Sequence, residues 1–314
     1  MDDDNSRDTA GVWRMNRRLA AVEHYWLERI DADPLVLVRC FYGLVVFAWG
    51  VTVLPDLGRI YGNNGLAGGI EFGDFRIVSL FRWVSVDTFG LAAMVLMLAA
   101  SAFVALNRNV RFTVPLTAFL FTSFADASVP WLIGAELVMI LFGLWLAVFA
   151  VLTPTASQGH RRDTTGSRGQ MPAWGLRLLQ IQIVLAYVTT AYDKLLGNDW
   201  TDGSAVYHAL ASDTLRRFDP PAFLFDNAWL IRSMTWSTLA VEAALGFLLL
   251  WPRTRRWAVL LAIALHLGFQ VFLTLGFFAP AMTIGILSFV SAADARRVLD
   301  WRPRFITART APAQ

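Results

Sequence analysis

The residue with the clearest chemical potential in this 314-residue sequence is Lys194, because it is the single lysine among 27 basic residues. A genome rich in arginine codons explains the other 26, but it does not explain the one lysine that remains. Arginine replaces lysine as a surface charge, yet it stays protonated, whereas a desolvated lysine can lose its proton near neutral pH. Lys194 is therefore a candidate general base, with an ordinary surface cation as the alternative.

Several further ionisable side chains lie inside or at the ends of apolar segments, where they are costly and usually functional. They are Arg39, Glu136, Asp193, Glu242 and His266. One interpretation is that they line a single polar cavity. The other is that they pair with one another and fix helix packing, for example Arg39 with Glu242. Gln182 and Tyr187 precede Lys194 in the same segment, and the seven-residue spacing from Tyr187 to Lys194 predicts one helical face.

The composition decides which kind of element must position these residues. Hydrophobic residues make up 56% of the chain and charged residues 16%, against about 45–50% and about 25% in soluble domains. The excess lies in blocks of about twenty residues, which is the length that a bilayer requires. A water-soluble enzyme, a disordered protein and a disulfide-built scaffold with the lone Cys40 are excluded. The sequence has no zinc-ligand spacing and no basic cluster with stacking aromatics, so we predict neither a metal nor a nucleic-acid partner.

The apolar blocks predict an all-α fold, a polytopic integral membrane helical bundle with about eight spans. The predicted spans are residues 34–54, 88–106, 112–125, 132–153, 173–193, 228–251, 257–277 and 280–292. Asp33 and Pro34 are typical of a helix start, with a capping carboxylate followed by proline in the first turn. The third and eighth spans are too short to cross the bilayer upright.

Eight spans place both termini on one side of the membrane. Nineteen of the 27 basic residues then fall on that side and seven on the other, which predicts cytoplasmic termini. The expected regions are a cytoplasmic N-terminal segment (1–32) with a candidate surface helix over 12–30, a transmembrane domain (33–295) and a short cytoplasmic tail (296–314). No signal peptide precedes the first span. Residues 154–171 read as a linker. The aromatic loops 55–87 and 195–227 indicate interfacial anchors or a lid over an outward cavity.

One stretch of the sequence resembles a known family. It carries the pattern Q….Y……KL…DW..G at Gln182, Tyr187, Lys194, Leu195, Asp199, Trp200 and Gly203. This pattern is similar to that of the membrane half of the vitamin K-dependent gamma-glutamyl carboxylase, whose wider family is the horizontally transferred transmembrane (HTTM) domain. Weaker likenesses occur at Arg39 with Gly43, at Asn63–Leu66, at Glu242–Leu250, and at His266 with Gly276 and Phe278. The resemblance covers roughly residues 30–295.

The resemblance implies that Lys194 is the base that deprotonates a reduced quinone of menaquinone or vitamin K type. It also implies that Arg39, Gln182, Tyr187, Asp193, Asp199, Trp200, Glu242 and His266 line or support the pocket. Two features depart from the family pattern: no histidine stands in the matching region 127–132, and Asp193 replaces a lysine. Contact with Asp193 would hold Lys194 charged. The carboxylase's peptide-binding domain has no counterpart here, so propeptide recognition by this chain alone is not expected.

Three functions remain open from the sequence. The first is a multi-pass enzyme of a bacterial inner (plasma) membrane, a carboxylase-like lyase that acts on a lipophilic quinone. The second is a non-catalytic accessory protein that assists maturation or export of a peptide or protein partner, in which Lys194 and Asp193 form a structural ion pair. The third is a small-molecule carrier, against which the lack of an inverted repeat argues.

Overall fold

The protein is helical throughout most of its described length. The computed structural model describes residues 20–66, 79–127, 134–153 and 168–301. In chain order the helices are α1 (20–27), α2 (Asp33–Val53), α3 (Leu57–Tyr61), α4 (Val86–Ala105), α5 (Val110–Ala127), α6 (Gly134–Leu152), α7 (Trp174–Leu196), α8 (Asn198–Thr201), α9 (Ala205–Ala211), α10 (Ala222–Asp226), α11 (Ala228–Leu248), α12 (Arg255–Phe272), α13 (Phe278–Ile286) and α14 (Ala292–Asp300). Short 3₁₀ turns cover Leu54–Asp56, Leu80–Arg82 and Leu287–Phe289.

The prediction of an all-α membrane protein is confirmed. Within the described residues, four helical segments are long and apolar enough to cross a membrane: Asp33–Tyr61, Val86–Ala105, Gly134–Leu152 and Arg255–Phe272. The other four predicted spans are also helical. Helices α5, α7 and α11 have 18, 23 and 21 residues, but their polar side chains lower their mean hydropathy.

The third predicted span is longer than the sequence suggested. The apolar run ended at residue 125 and contained Pro115, whereas α5 extends from Val110 to Ala127. Helical hydroxyls bond within the structure, as Ser123 does by donating to the Phe119 carbonyl at 2.8 Å, so a polar side chain need not end the helix. The eighth span is short, as predicted, because α13 has nine residues and only the 3₁₀ turn Leu287–Phe289 prolongs it.

Helix α2 lies at the centre of the bundle. It packs against α4, α13 and α14, while α5 packs between α4 and α6, and α7 packs against α6, α11 and α13. Gly43 allows a close approach of α2 to α4, because a Cβ at this position would lie 2.7 Å from the Ser101 carbonyl oxygen. Small residues at such contacts let membrane helices pack backbone to backbone.

A short sheet and an ion-pair network tie the N-terminal segment to the bundle. Strand β1 (Arg29–Asp31) pairs antiparallel with β2 (Gln170–Pro172), so the candidate surface helix over 12–30 ends at residue 27. Residues 1–19 and 154–167 lie outside the described chain.

The capping role predicted for Asp33 is wrong, because Ala32 holds the N-cap position and makes no side-chain cap bond. The fully buried Asp33 carboxylate instead accepts hydrogen bonds from Arg168 at 2.7 Å and Arg296 at 3.1 Å. Burial acts to lower the pKa of Arg168, but hydrogen bonds to Asp33 and Asp300 outweigh it and hold that pKa above the usual arginine value. The network joins the start of α2 to α14.

The two long aromatic loops contain short helices at the opposite end of the bundle. Helix α3 and the turn Leu80–Arg82 belong to the first loop, of which residues 67–78 lie outside the described chain. Helices α8, α9 and α10 form the second, which is fastened to the end of α12 because the Thr274 amide donates to the Leu215 carbonyl at 2.7 Å. The second loop is therefore attached to the end of α12.

Candidate functional site

The site begins with Lys194, which lies in the last turn of α7. Side chains of a helix point back toward its N-terminus, so the lysine reaches from the bundle end toward the interior. There Lys194 Nζ donates to Glu242 Oε2, from the middle of α11. The Glu242 side chain is 6% exposed and the Lys194 side chain 21% exposed. The structure therefore shows a largely buried ion pair between two helices.

Trp200 covers the lysine from the loop side. The short helix α8 follows α7 directly, and it places the Trp200 ring with its centroid 4.4 Å from Lys194 Nζ. A cation over an indole face is stabilised by the ring quadrupole. Gly203 ends this turn with φ +87°, and a Cβ there would lie 2.7 Å from Arg232 Cγ. The spacing of Lys194, Trp200 and Gly203 in the sequence thus corresponds to one compact turn after α7, which places the indole ring against the lysine.

A second polar pair lies beside the first. The Tyr187 hydroxyl and His266 Nε2 are 2.9 Å apart, and both residues are buried. His266 comes from α12, and the rings of Phe269 and Phe278 meet it edge-on, with centroids 5.9 and 5.5 Å away. These aromatic neighbours hold the imidazole in one orientation.

A cavity of about 690 Å³ connects the two pairs. Its walls come from α6, α7 and α13 and are mostly apolar, and Lys194, Glu242, Tyr187 and His266 supply polar groups. On α7 the lining extends from Leu178 to Lys194, which at 1.5 Å per residue corresponds to about 24 Å. The cavity is therefore elongated along α7, with an ion pair at one end.

Two polar groups on the cavity wall have no hydrogen-bond partner among the described residues. Both amide atoms of Gln182 are buried and unbonded, and so is Nδ1 of His266. Leaving such a group unpaired costs about 1–3 kcal/mol. Buried polar groups of this kind are usually satisfied by water or by a ligand.

Comparison with known proteins gives one match. The model of the HTTM domain family matches residues 27–293. The chain belongs to the HTTM domain family. No curated protein and no solved structure matches it.

Five of the residues proposed from the sequence come together in this HTTM domain. Lys194, Glu242, Tyr187, His266 and Gln182 all line the one cavity. The expectation that Tyr187 and Lys194 share a helical face is confirmed, since both face this space. Trp200 supports the group through its contact with Lys194.

The structure places the other proposed residues outside the cavity lining. Arg39 is buried, but its Nε donates to Asn107 Oδ1 at 3.0 Å, so its proposed pairing with Glu242 is wrong. Asp193 is exposed, and the lysine next to it bonds Glu242, so the proposed Lys194–Asp193 pair is wrong as well. Adjacent residues on a helix point about 100° apart. Asp199 is also exposed and lies 3.9 Å from His208.

Sequence reasoning missed several lining residues. Thr190 lies four residues before Lys194, and this spacing alone indicates the same face. Leu141 and Trp145 of α6 and Met282 of α13 also line the cavity. Their positions depend on how α6 and α13 pack against α7, and an apolar residue in an apolar span gives no signal of that.

Proposed function

We propose that this HTTM protein is an integral membrane enzyme in which Lys194, paired with Glu242, takes a proton from a hydroxyl group of a lipophilic substrate. The observation that carries the proposal is the position of this ion pair at one end of a long apolar cavity. Small-molecule sites typically have volumes of about 300–1,000 Å³, with apolar walls and a few convergent polar groups. The cavity of about 690 Å³ fits that description.

The proposed proton uptake requires the neutral amine form of Lys194, and Glu242 is the group that would receive its proton. Transfer of one proton from the Lys194 ammonium to the Glu242 carboxylate would give an amine and a carboxylic acid, with no change in net charge. The amine form can accept the substrate proton, and the resulting ammonium lies beside the anion that is formed. Arginine cannot supply the amine form, because it stays protonated. The single lysine of the chain therefore has a chemical role that none of the 26 arginines can take.

A reduced quinone of menaquinone or vitamin K type is the substrate class that we propose. The residues present fit it: Lys194 and Glu242 would face a hydroxyl of the ring, and the apolar wall along α7 would receive the isoprenoid chain. The unpaired amide of Gln182 offers a donor and an acceptor to a further polar atom. When bound, such a quinol supplies an acidic hydroxyl and reducing electrons. The chain's own residues orient it, exclude water and hold the proton.

We also propose the finer membrane arrangement that the sequence predicts. Eight spans in a bacterial inner membrane, with both termini cytoplasmic, would place Lys194 toward the outer side. The buried network around Asp33, Arg168 and Arg296 supports this, because it brings the start of α2 and the helix α14 to the same end.

The test is epoxide formation from a reduced naphthoquinone and oxygen, with the purified full-length protein in lipid nanodiscs. The wild type is compared with Lys194→Arg, which keeps the positive charge and removes the base. Arg59→Lys, an equally conservative exchange at an exposed position, is the matched control. We expect epoxide from the wild type and the control and none from Lys194→Arg. Equal product from Lys194→Arg would refute the role of Lys194 as the base.

The second candidate function is a non-catalytic accessory protein for a peptide or protein partner. The observation that favours it is the same ion pair, since a Lys194–Glu242 contact also holds α7 to α11. That function requires the pairing but not the proton uptake. No epoxide from any variant, together with a partner that co-purifies equally with wild type and Lys194→Arg, would favour it.

A further inference from the structure

A second large cavity lies at the end of the bundle where α2 and α12 begin. Its volume is about 1,020 Å³, and its walls come from β1, α2, α7, α12, α13 and α14. It shares no lining residue with the cavity at Lys194. The floor is apolar, with Leu37, Phe41, Val259 and Ile263 among its residues. We call it the α12 groove.

The α12 groove opens beside the most outlying of the apolar helices. Only 22% of the apolar window of α12 is buried, against 39–56% in the other three candidate spans. Leu260 lines the groove and is 53% exposed, and the neighbouring Trp257 is 72% exposed. Such surfaces on a membrane protein face lipid, so an acyl chain can enter the groove from the side.

The mouth of the groove carries positive charge. The Arg255 guanidinium donates to the carbonyls of Leu249 and Leu250 at 3.1 and 3.3 Å, which fixes its position. Arg256 is exposed and forms no hydrogen bond or ion pair with any residue in the described part of the chain. Its guanidinium N–H groups are therefore available to a ligand. Its charge also acts on Asp294, whose pKa is lowered by a hydrogen bond from Ser291 and by the charges of Arg256 and Arg297.

The acidic residues around this groove are outnumbered by arginines. Asp294 accepts a hydrogen bond from Arg297 at 2.9 Å, and Asp31 lies 4.0 Å from Arg296. Arg296 also bonds Asp33, and Arg168 bonds both Asp33 and Asp300. The five arginines around the groove mouth (Arg168, Arg255, Arg256, Arg296 and Arg297) therefore outnumber the four aspartates (Asp31, Asp33, Asp294 and Asp300) by one positive charge. An apolar groove with excess positive charge at its end is complementary to a molecule with an acyl chain and an anionic headgroup.

We infer that the α12 groove binds an anionic phospholipid, with an acyl chain on the apolar floor and the headgroup phosphate at Arg256 and Arg255. Basic pockets between transmembrane helices are the common sites for such headgroups. Arginine suits the role because its planar guanidinium can hold two phosphate oxygens at once. This inference does not depend on the function of Lys194.

The experiment measures lipids retained by the purified full-length protein in native mass spectrometry. The probes are phosphatidylglycerol and phosphatidylcholine with identical acyl chains, added at equal concentration. We expect severalfold more phosphatidylglycerol than phosphatidylcholine on the wild type. Arg256→Gln should lose most of this preference. The matched control is Arg111→Gln, which removes one exposed arginine from the first turn of α5, outside the groove.

A second variant tests the floor of the groove independently of charge. Ile263→Trp adds bulk where the acyl chain is expected, so retention of phosphatidylglycerol should fall although every arginine remains. Equal retention of the two lipids by the wild type would overturn the inference. So would an equal loss of preference in Arg256→Gln and Arg111→Gln, because the effect would then be one of overall charge.

Discussion

The Lys194–Glu242 pair permits a quantitative test by a double-mutant cycle with Lys194→Met and Glu242→Gln. Removing one partner of a buried ion pair leaves an unpaired charge and typically costs about 3–5 kcal/mol. Coupling energies of polar contacts between membrane helices are smaller, with a mean of about 0.6 and a maximum of about 1.7 kcal/mol. Glu242 is 6% exposed and Lys194 is 21% exposed, so the pair lies between these cases. We expect a coupling energy of about 2 kcal/mol, with the double variant more stable than the sum of the single effects predicts.

The assay is reversible unfolding of the full-length protein by sodium dodecyl sulfate in mixed micelles, followed by tryptophan fluorescence, for which the chain has 13 tryptophans. The matched control is the pair Arg59–Asp56, which has an N···O distance of 3.0 Å and side chains 85% and 49% exposed. Exposed pairs of this kind contribute less than about 1 kcal/mol. A Lys194–Glu242 coupling energy no larger than that of the control pair would refute the reasoning, because the two residues would then not form a desolvated contact.

Three further predictions concern other parts of the molecule. Asp33→Asn should lower the free energy of unfolding by about 1–3 kcal/mol, because it weakens the charge-assisted hydrogen bonds from Arg168 and Arg296, while Arg168 keeps Asp300 as a partner. Detergent unfolding measures this change, and an unchanged free energy of unfolding would contradict the prediction. Gln182→Leu should stabilise the ligand-free protein by about 1–3 kcal/mol, because it removes an unpaired buried amide. The same variant should weaken quinol turnover. Lower stability in the unfolding assay would contradict this prediction, because it would show that the amide has a hydrogen-bond partner. The last prediction concerns topology and uses two variants without the native cysteine, one with a cysteine in place of Arg59 and one with a cysteine in place of Arg253. An impermeant thiol reagent should label these two cysteines from opposite sides of the membrane. Labelling of both from one side would refute the eight-span topology.

The positions of the helices follow closely from the sequence, and the contacts between them do not. A run of about twenty apolar residues cannot satisfy its backbone in lipid except as a helix, so residues 34–54 and 88–106 predict α2 and α4 within two residues at each end. The ion pairs do not follow from the sequence in this way, because the sequence does not decide whether Glu242 pairs with Arg39 or with Lys194. The choice depends on α7 packing against α11 while Arg39 faces the loop at Asn107.

The close packing of α7 and α11 depends in part on a residue with no chemical role. A Cβ at Gly246 would lie 3.0 Å from Val188 Cγ2, so glycine at this position keeps the two helices close. Lys194 and Glu242 project from these same helices. A glycine in an apolar span gives little indication from sequence that it sets the distance between two charged residues.

Two of the less apolar helices, α7 and α11, carry the ion pair of the candidate site. Helices α7 and α11 have 23 and 21 residues, enough to cross a bilayer, but in the described chain they are not among the segments apolar enough to qualify. A polar residue facing lipid is costly, so such helices persist only when their polar side chains face protein or a cavity. Gln182, Tyr187 and Lys194 do face one cavity. In this chain, two of the three spans with adequate length and reduced hydropathy, α7 and α11, face the polar cavity, and α5 does not. Reduced hydropathy in a long span is an indication that the sequence offers before any contact is known.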